Sequence, residues 1–300
     1  MIISPKDVQK FGLGIMGVRR GNKSEKRMEK EFRKHYGSSP LDIATCWFDL
    51  CYYDEELLSP KEKTMKGFRR FLAAQYWLWA RPKNVDIFSS RFGVCKDYLQ
   101  GKELWKWIDR IAGLAEKKIK WDHFLDQDAA IFGVSTDGVD FPMWEVKHEE
   151  FPVNTRAMSH KFRSCGAKYI IVLSVFRSKC LFISGPHLGG KGDLDIFKEC
   201  GLLQKMQDSG KKCIADRGFR SKYANERSCF AYPDLMDSRE LHNFKSRARC
   251  HQETFNKRLK HFACLSSTFK NGFVKHGIAL RAVAVMVQYQ MDHGSPLFSV

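Results

Sequence analysis

The spacing of apolar residues changes near residue 121, and this change limits what the chain can fold into. From Pro40 to about Lys120 the apolar residues recur at helical spacing, and β-branched runs are few. After Trp121 they occur in short runs typical of strands. We therefore expect an all-α domain followed by an α/β domain.

The pattern also predicts individual elements. Helices are expected over 41–51, 65–79, 86–92 and 98–117, and strands over 129–136, 142–146, 168–176, 180–184 and 212–215. A helix over 193–206 separates the last two strands, and a helical crossover indicates a mixed α/β sheet. The expected domains are a basic flexible arm at 1–35, a helical domain at 36–122 and an α/β domain at 123–300.

The charge of the chain indicates what it binds. Lys and Arg number 51 against 34 Asp and Glu, which gives a net charge of +17. Such an excess usually has a polyanionic partner, most often nucleic acid, with an acidic membrane surface as the rival. The sequence has neither an apolar run of about 18 residues nor the order of a signal peptide, so we expect a soluble intracellular protein without a membrane partner.

The ten cysteines are scattered and include no Cys-x-x-Cys pair. We therefore expect free, mostly buried thiols rather than disulfides or a zinc site.

A short helix, a Gly turn and a longer helix around Gly93 have the layout of a helix-turn-helix. In this interpretation Lys96, Lys102 and Lys106 would contact DNA. The alternative is that the same segment is an ordinary corner of a helical bundle, with Trp105 and Trp107 in its core.

Two apolar strands each deliver an aspartate, Asp137 and Asp216, followed within two residues by Gly. Carboxylates at strand ends are accessible yet rigidly held, as hard cations such as magnesium require. Each Asp taken alone has a simpler explanation as a turn residue.

A third carboxylate, Glu253, lies in a segment with a clear helical pattern. Phe244, Ala248, Phe255, Leu259 and Phe262 form one apolar stripe. On the other side, Glu253 shares a face with Arg249, Asn256, Lys257 and Lys260. Glu253 is either a metal ligand on a face that binds phosphates, or a surface residue in ion pairs with Arg249 and Lys257. Such a surface pair contributes only about 0.3–0.5 kcal/mol.

The order of these acids and the segments around them resemble a known family. The segments are STDGVDF (135–141), HKF (160–162), KY (168–169), ISGP (183–186), GD (192–193) leading into IF (196–197), IADRG (214–218), RAR (247–249) and HQETFN (251–256). Together they resemble the Harbinger-type DDE superfamily endonucleases, which are transposases with a ribonuclease-H-like catalytic domain. Residues 37–40 and the helices around them resemble the region that precedes that domain.

The resemblance implies a function and a site. It implies a metal-dependent DNA endonuclease or transposase in which Asp137, Asp216 and Glu253 hold two Mg²⁺ or Mn²⁺ ions for in-line phosphoryl transfer. Arg249, Lys257 and Lys260 would bind DNA phosphates beside the metals. The resemblance and the basic arm together imply a nuclear location.

Other acids and two histidines stay open as alternatives. Asp140, Asp193 and Asp195 are further carboxylate candidates, Asp193 also suiting a helix N-cap, and His187 and His251 are candidates for proton transfer. For Glu253 to face the two aspartates, we expect the apolar stripe to pack on the last helix, 275–291, rather than on the sheet.

The expected partner is double-stranded DNA, bound by a homodimer or higher assembly, with a separate DNA-binding protein as a further partner. The main rival function is that of a domesticated, catalytically silent transposase that only binds DNA. An RNA-processing nuclease on the same scaffold is the third alternative.

Overall fold

The computed structural model describes residues 1–53, 57–99, 101–121, 131–144 and 157–300. Contacts divide the chain into two compact units. The first comprises Met1–Lys118, Leu259–Ser267 and Ile278–Ser295, and the second comprises Ile119–Arg258, Thr268–Gly277 and Pro296–Val300. The carboxyl-terminal part of the chain is therefore shared between the units, and the second unit is not the continuous stretch 123–300 that the sequence predicts.

The described part of the first unit is helical. Its helices are α1 (Pro5–Ile15), α2 (Glu25–Tyr36), α3 (Pro40–Tyr52), α4 (Met65–Ala80), α5 (Val85–Phe92), α6 (Lys102–Gly113), α7 (Ala115–Lys118) and, later in the chain, α12 (Ala263–Ser266). Buried aromatic rings hold it together: Trp47 stacks on Trp107 with ring centroids 6.2 Å apart, and Phe68 meets Trp47 edge-on at 5.2 Å. Trp107 is therefore a core residue, as the alternative to DNA binding required.

The predicted loose arm over residues 1–35 is wrong, because α1 and α2 fill most of this range. In α2 the buried residues Met28, Phe32 and Tyr36 recur every four positions and form an apolar stripe. The Ser24 side chain accepts the Arg27 N–H at the start of this helix, and Gly37 ends it in the left-handed conformation.

The predicted second helix of a helix-turn-helix, 98–117, is interrupted. A 3-10 helix occupies Lys96–Leu99, and α6 begins only at Lys102. Lys96 therefore lies outside α6 and pairs with Asp86 at 2.8 Å, while Lys106 pairs with Glu62 at 3.0 Å. The DNA-reading helix stays a prediction, and these two lysines already have carboxylate partners within the helical unit.

The second unit is built on a mixed sheet. Its strands are β1 (Phe132–Pro142), β2 (Met158–Ser159), β3 (Ser164–Ser174), β4 (Cys180–Leu188), β5 (Lys212–Ile214) and β6 (Phe230–Ala231). The order is β2-β3-β1-β5-β6, and β4 also pairs with β3. β1 is antiparallel to β3 and parallel to β5, while β5 is parallel to β6. Parts of the predicted strands 129–136 and 142–146 lie outside the described residues.

The remaining helices complete the α/β arrangement. They are α8 (Asp193–Glu199), α9 (Leu202–Ser209), α10 (Ala224–Arg227) and α11 (Arg239–Lys260). The last helix, α13 (Phe273–Asp292), begins in this unit and belongs to the first unit from Ile278 onward. The predicted single helix over 193–206 is broken at Gly201, which has a φ of 77°.

Strand alternation buries both faces of the sheet. Val134 and Cys213 point to the face covered by Ile196 and Met206 of α8 and α9, whereas Ile214 points to the face covered by α11. The unit is thus a mixed sheet flanked by helices, an architecture compatible with the ribonuclease-H-like fold.

The cysteines match the expectation of free, mostly buried thiols. All ten are free and six of them are buried. As to membrane spans, a helix both long and apolar enough to cross a bilayer does not occur among the described residues.

Candidate active site

The parallel pairing of β1 and β5 brings two aspartates side by side. Ser135 is the register partner of Ile214, so Asp137 and Asp216 lie two residues further along neighbouring strands. Asp137 is in the middle of β1, which continues to Pro142, and not at a strand end as predicted. Asp216 does follow the end of β5, and its Oδ1 accepts the Gly218 N–H at 2.8 Å.

Two buried carboxamides of helix α11 make hydrogen bonds to the sheet, and one of them binds Asp137. Gln252 accepts the Ser135 hydroxyl at 3.2 Å and donates to the Ile171 carbonyl at 3.3 Å. Asn256 Nδ2 donates to Asp137 Oδ2 at 2.7 Å. The helix is therefore fastened to β1 and β3 by polar contacts on either side of Glu253.

The apolar stripe of α11 packs differently from the prediction. Ala248 and Phe244 join a cluster with Ile214 and Ala231 of the sheet, so the first part of the stripe faces the sheet and not the last helix. Glu253 is exposed and still lines a pocket with Asp137 and Asp216.

One small pocket brings the three predicted acids together. Asp137, Asp216 and Glu253 line it with Arg249 and, among other residues, Gln252, and its cavity volume is about 20 Å³. That is room for about one water-sized particle. The three carboxylates therefore share one opening, with Arg249 beside them.

The ionisation of Asp137 reflects this crowding. Burial raises its pKa to about 6, and the negative charges of Asp216 and Asp193 act in the same direction against the opposing charges of Lys161 and Arg249. A buried carboxylate with acidic neighbours gains from a cation more than an isolated one does.

The donor atoms in the pocket are of the kind that a hard divalent cation binds. Carboxylate oxygen is the donor that Mg²⁺ and Mn²⁺ prefer, and the pocket offers it from three residues. Among the described residues, no three His, Cys, Asp or Glu side chains are close enough together to hold one ion as they stand. Without a cation, the like charges of the carboxylates keep them apart. The carboxylates would have to turn inward around a bound cation.

Asp193 is a fourth carboxylate at the edge of this site, and it explains Gly138. A Cβ atom on Gly138 would lie 2.4 Å from the Asp193 Cγ atom, so the Asp193 carboxyl group occupies the space of the missing side chain. Lys168 holds Asp193 by an ion pair of 3.0 Å. Gly138 is thus required in mid-strand and does not form the turn that its sequence indicates. Gly192, and not Asp193, is the N-cap of α8.

Substitution of Gly138 by Ala should therefore destabilise the protein by about 1–3 kcal/mol, because the new methyl group must displace Asp193 from a packed position. The free energy of unfolding from urea titration measures this. Gly14→Ala in α1 is the matched control, since a Cβ atom at position 14 would meet nothing within 4 Å and Ala favours helix. Equal stability of the Gly138→Ala variant and the wild type would contradict the close contact between position 138 and the Asp193 carboxyl group.

The other candidates for acid or proton-transfer roles lie outside the pocket lining. Asp140 is buried and accepts the Ser159 hydroxyl, and Asp195 is exposed. His187 is hydrogen-bonded to Ser184 at 2.8 Å. His251 is buried against Phe298, and burial lowers its pKa to about 4.

The predicted DNA-contacting residues are divided between the units. Arg249 lines the pocket and is half-buried, and Lys257 is exposed on the same helix. Lys260, also exposed, ends α11. Lys96 and Lys102 are exposed in the helical unit.

Comparison with known proteins assigns part of the chain to a family. Residues 147–288 match the sequence model of a family described as DDE superfamily endonuclease. This segment belongs to the DDE superfamily of endonucleases. It includes Asp216 and Glu253, while Asp137 lies just before it. No curated protein and no solved structure matches the chain.

Several residues around the pocket are not singled out by the sequence. In the sequence, Asn256 is noted only as a neighbour of Glu253 on a polar face. Gln252 and Lys161 occur only within longer segments that resemble the family. Lys161 is exposed and donates to the Gly138 carbonyl at 3.0 Å. The spacing of Gln252 and Asn256, four residues apart and next to an apolar stripe, is the signal that could have indicated a polar contact with the sheet.

Proposed function

We propose that this protein is a metal-dependent DNA endonuclease of the transposase type, with Asp137, Asp216 and Glu253 as its metal ligands. The observation that carries the proposal is that these three acids, which are 79 and 37 residues apart in sequence, line one pocket, and that two of them lie in the segment that matches the endonuclease family. The positive charge of the chain suits DNA as substrate.

In this proposal the acidic side chains hold the metal ions and the basic ones bind the DNA. Asp137 and Asp216 would hold divalent ions between neighbouring strands, and Glu253 would complete the site from α11. Such ions, when bound, activate a water or a DNA 3′-hydroxyl and stabilise the leaving oxygen of an in-line displacement at phosphorus. Arg249 in the pocket and Lys257 one turn beyond Glu253 would neutralise the DNA phosphates next to the scissile bond.

Metal removal is the first test. Purified protein should nick supercoiled plasmid in Mg²⁺ or Mn²⁺, and EDTA should stop nicking completely while DNA binding persists, because phosphate contacts by Lys and Arg need no divalent ion. Nicking is read on agarose gels and binding by fluorescence anisotropy. Full nicking in EDTA would contradict the metal assignment.

A second outcome would support the rival function. If the protein binds DNA with a steep dependence on salt concentration but cuts none with either metal, the catalytically silent DNA-binding protein is the better description. Cleavage of RNA in preference to DNA would favour the RNA-processing nuclease. A nuclear location, read by microscopy of the tagged protein in a eukaryotic cell, belongs to the same proposal.

A further inference from the structure

Asn256 makes a contact that helix packing does not require. Its side chain is 7% exposed, and Phe255 and Leu259, which lie near it on the helix and belong to the apolar stripe, are fully buried. Its Nδ2 donates to Asp137 Oδ2 at 2.7 Å, and its Oδ1 has no hydrogen-bond partner among the described residues. A buried amide with an unpaired oxygen costs stability, so an apolar residue would serve packing better.

The position of Asn256 ties two metal-ligand candidates together. It lies three residues after Glu253, almost one helical turn, while its amide holds the carboxyl group of Asp137 on β1. Gln252, on the preceding turn, binds Ser135 of the same strand. The two amides therefore fix the height and rotation of α11 against β1, and with them the placement of Glu253 relative to Asp137.

We propose that Asn256 is a positioning residue that orients the Asp137 carboxylate for a divalent cation. The hydrogen bond takes up Oδ2 of Asp137 and leaves Oδ1 to turn toward Asp216 and Glu253. A neutral donor does this without adding a positive charge that would compete with the cation, as Lys or Arg would. The inference rests on the proposed metal-dependent function.

The test compares Asn256→Leu with the wild type, since Leu has the same branched arrangement of side-chain heavy atoms and favours helix. Mn²⁺ binding is measured by calorimetry on the full chain without DNA, and plasmid nicking is measured over a Mn²⁺ series. Loss of an outer-shell partner should weaken Mn²⁺ binding by about 10–100-fold. Nicking should recover at correspondingly higher Mn²⁺. A purely structural role would not produce this recovery.

Two further variants make the result decisive. Asn243→Leu applies the same change to an exposed position of the same helix and should bind Mn²⁺ as the wild type does. Asp137→Asn should lose Mn²⁺ binding. If it does and Asn256→Leu binds Mn²⁺ normally, the positioning role is overturned and the proposed function stands. If the wild type binds no Mn²⁺, both fall.

Discussion

Replacement of Asp137 by Asn should reduce metal-dependent nicking of DNA by about 10³-fold or more. Loss of an outer-shell partner costs about 10–100-fold in metal affinity or activity, and Asp137 is proposed as a direct ligand. The amide keeps the size of the side chain, so folding and DNA affinity should not change. Nicking rates at a Mn²⁺ concentration that saturates the wild type and anisotropy with labelled duplex measure the two effects separately.

Asp195→Asn is the matched control, because Asp195 is an exposed acid outside the pocket lining. It should nick DNA at the wild-type rate. Nicking by Asp137→Asn within a few-fold of the wild type would remove Asp137 from the site. The match to the endonuclease family would still stand, since it rests on residues 147–288.

Replacement of Lys168 by Met should destabilise the second unit by about 3–5 kcal/mol. Lys168 is 8% exposed, and its Nζ atom lies 3.0 Å from Asp193 and 4.0 Å from Asp140, while donating to the Lys191 carbonyl at 2.8 Å. Removal of the cation leaves two largely buried carboxylates without their shared positive charge, which is the costly way to break a buried ion pair.

Urea unfolding followed by circular dichroism gives the free energy of unfolding for this comparison. Lys179→Met, at the exposed turn between β3 and β4, makes the same substitution without a buried partner and should change stability by less than about 0.5 kcal/mol. If Lys168→Met is as stable as Lys179→Met, the buried Lys168–Asp193–Asp140 group does not stabilise the fold.

The helices that the sequence predicts well are those whose apolar stripes are dense. The predicted 41–51 and 65–79 become Pro40–Tyr52 and Met65–Ala80. Helix α2 escapes prediction because only three of its twelve residues are buried among many charges, although Ser24, the four-residue spacing and Gly37 are visible signals. In the sequence, the many charged residues hide the helical spacing of the three apolar ones. The helix is stabilised by the burial of Phe32 in the folded unit.

The position of Asp137 shows a different limit. Asp followed by Gly indicates a turn when only neighbours in sequence are considered. Gly138 instead makes room for Asp193, which is 55 residues away, so the reason for the glycine lies in a contact that no local pattern contains.

The face of α11 that contacts the sheet differs from the sequence prediction. The stripe is expected to avoid the sheet, yet Ala248 packs on it and Gln252 and Asn256 bind it by hydrogen bonds. A helix can dock through a mixed apolar and amide face and still present a carboxylate at its side. Helical-wheel reasoning, which sorts residues only by hydropathy, places such amides with the solvent-exposed residues.

The most direct test of the account is a crystal structure of the protein grown with Mn²⁺, with anomalous diffraction to locate the ion. We expect an anomalous peak among Asp137, Asp216 and Glu253, about 2.1 Å from carboxylate oxygens of at least two of them. The peak should be absent from crystals of Asp137→Asn. Mn²⁺ bound at other residues, with none at this trio, would contradict the central claim.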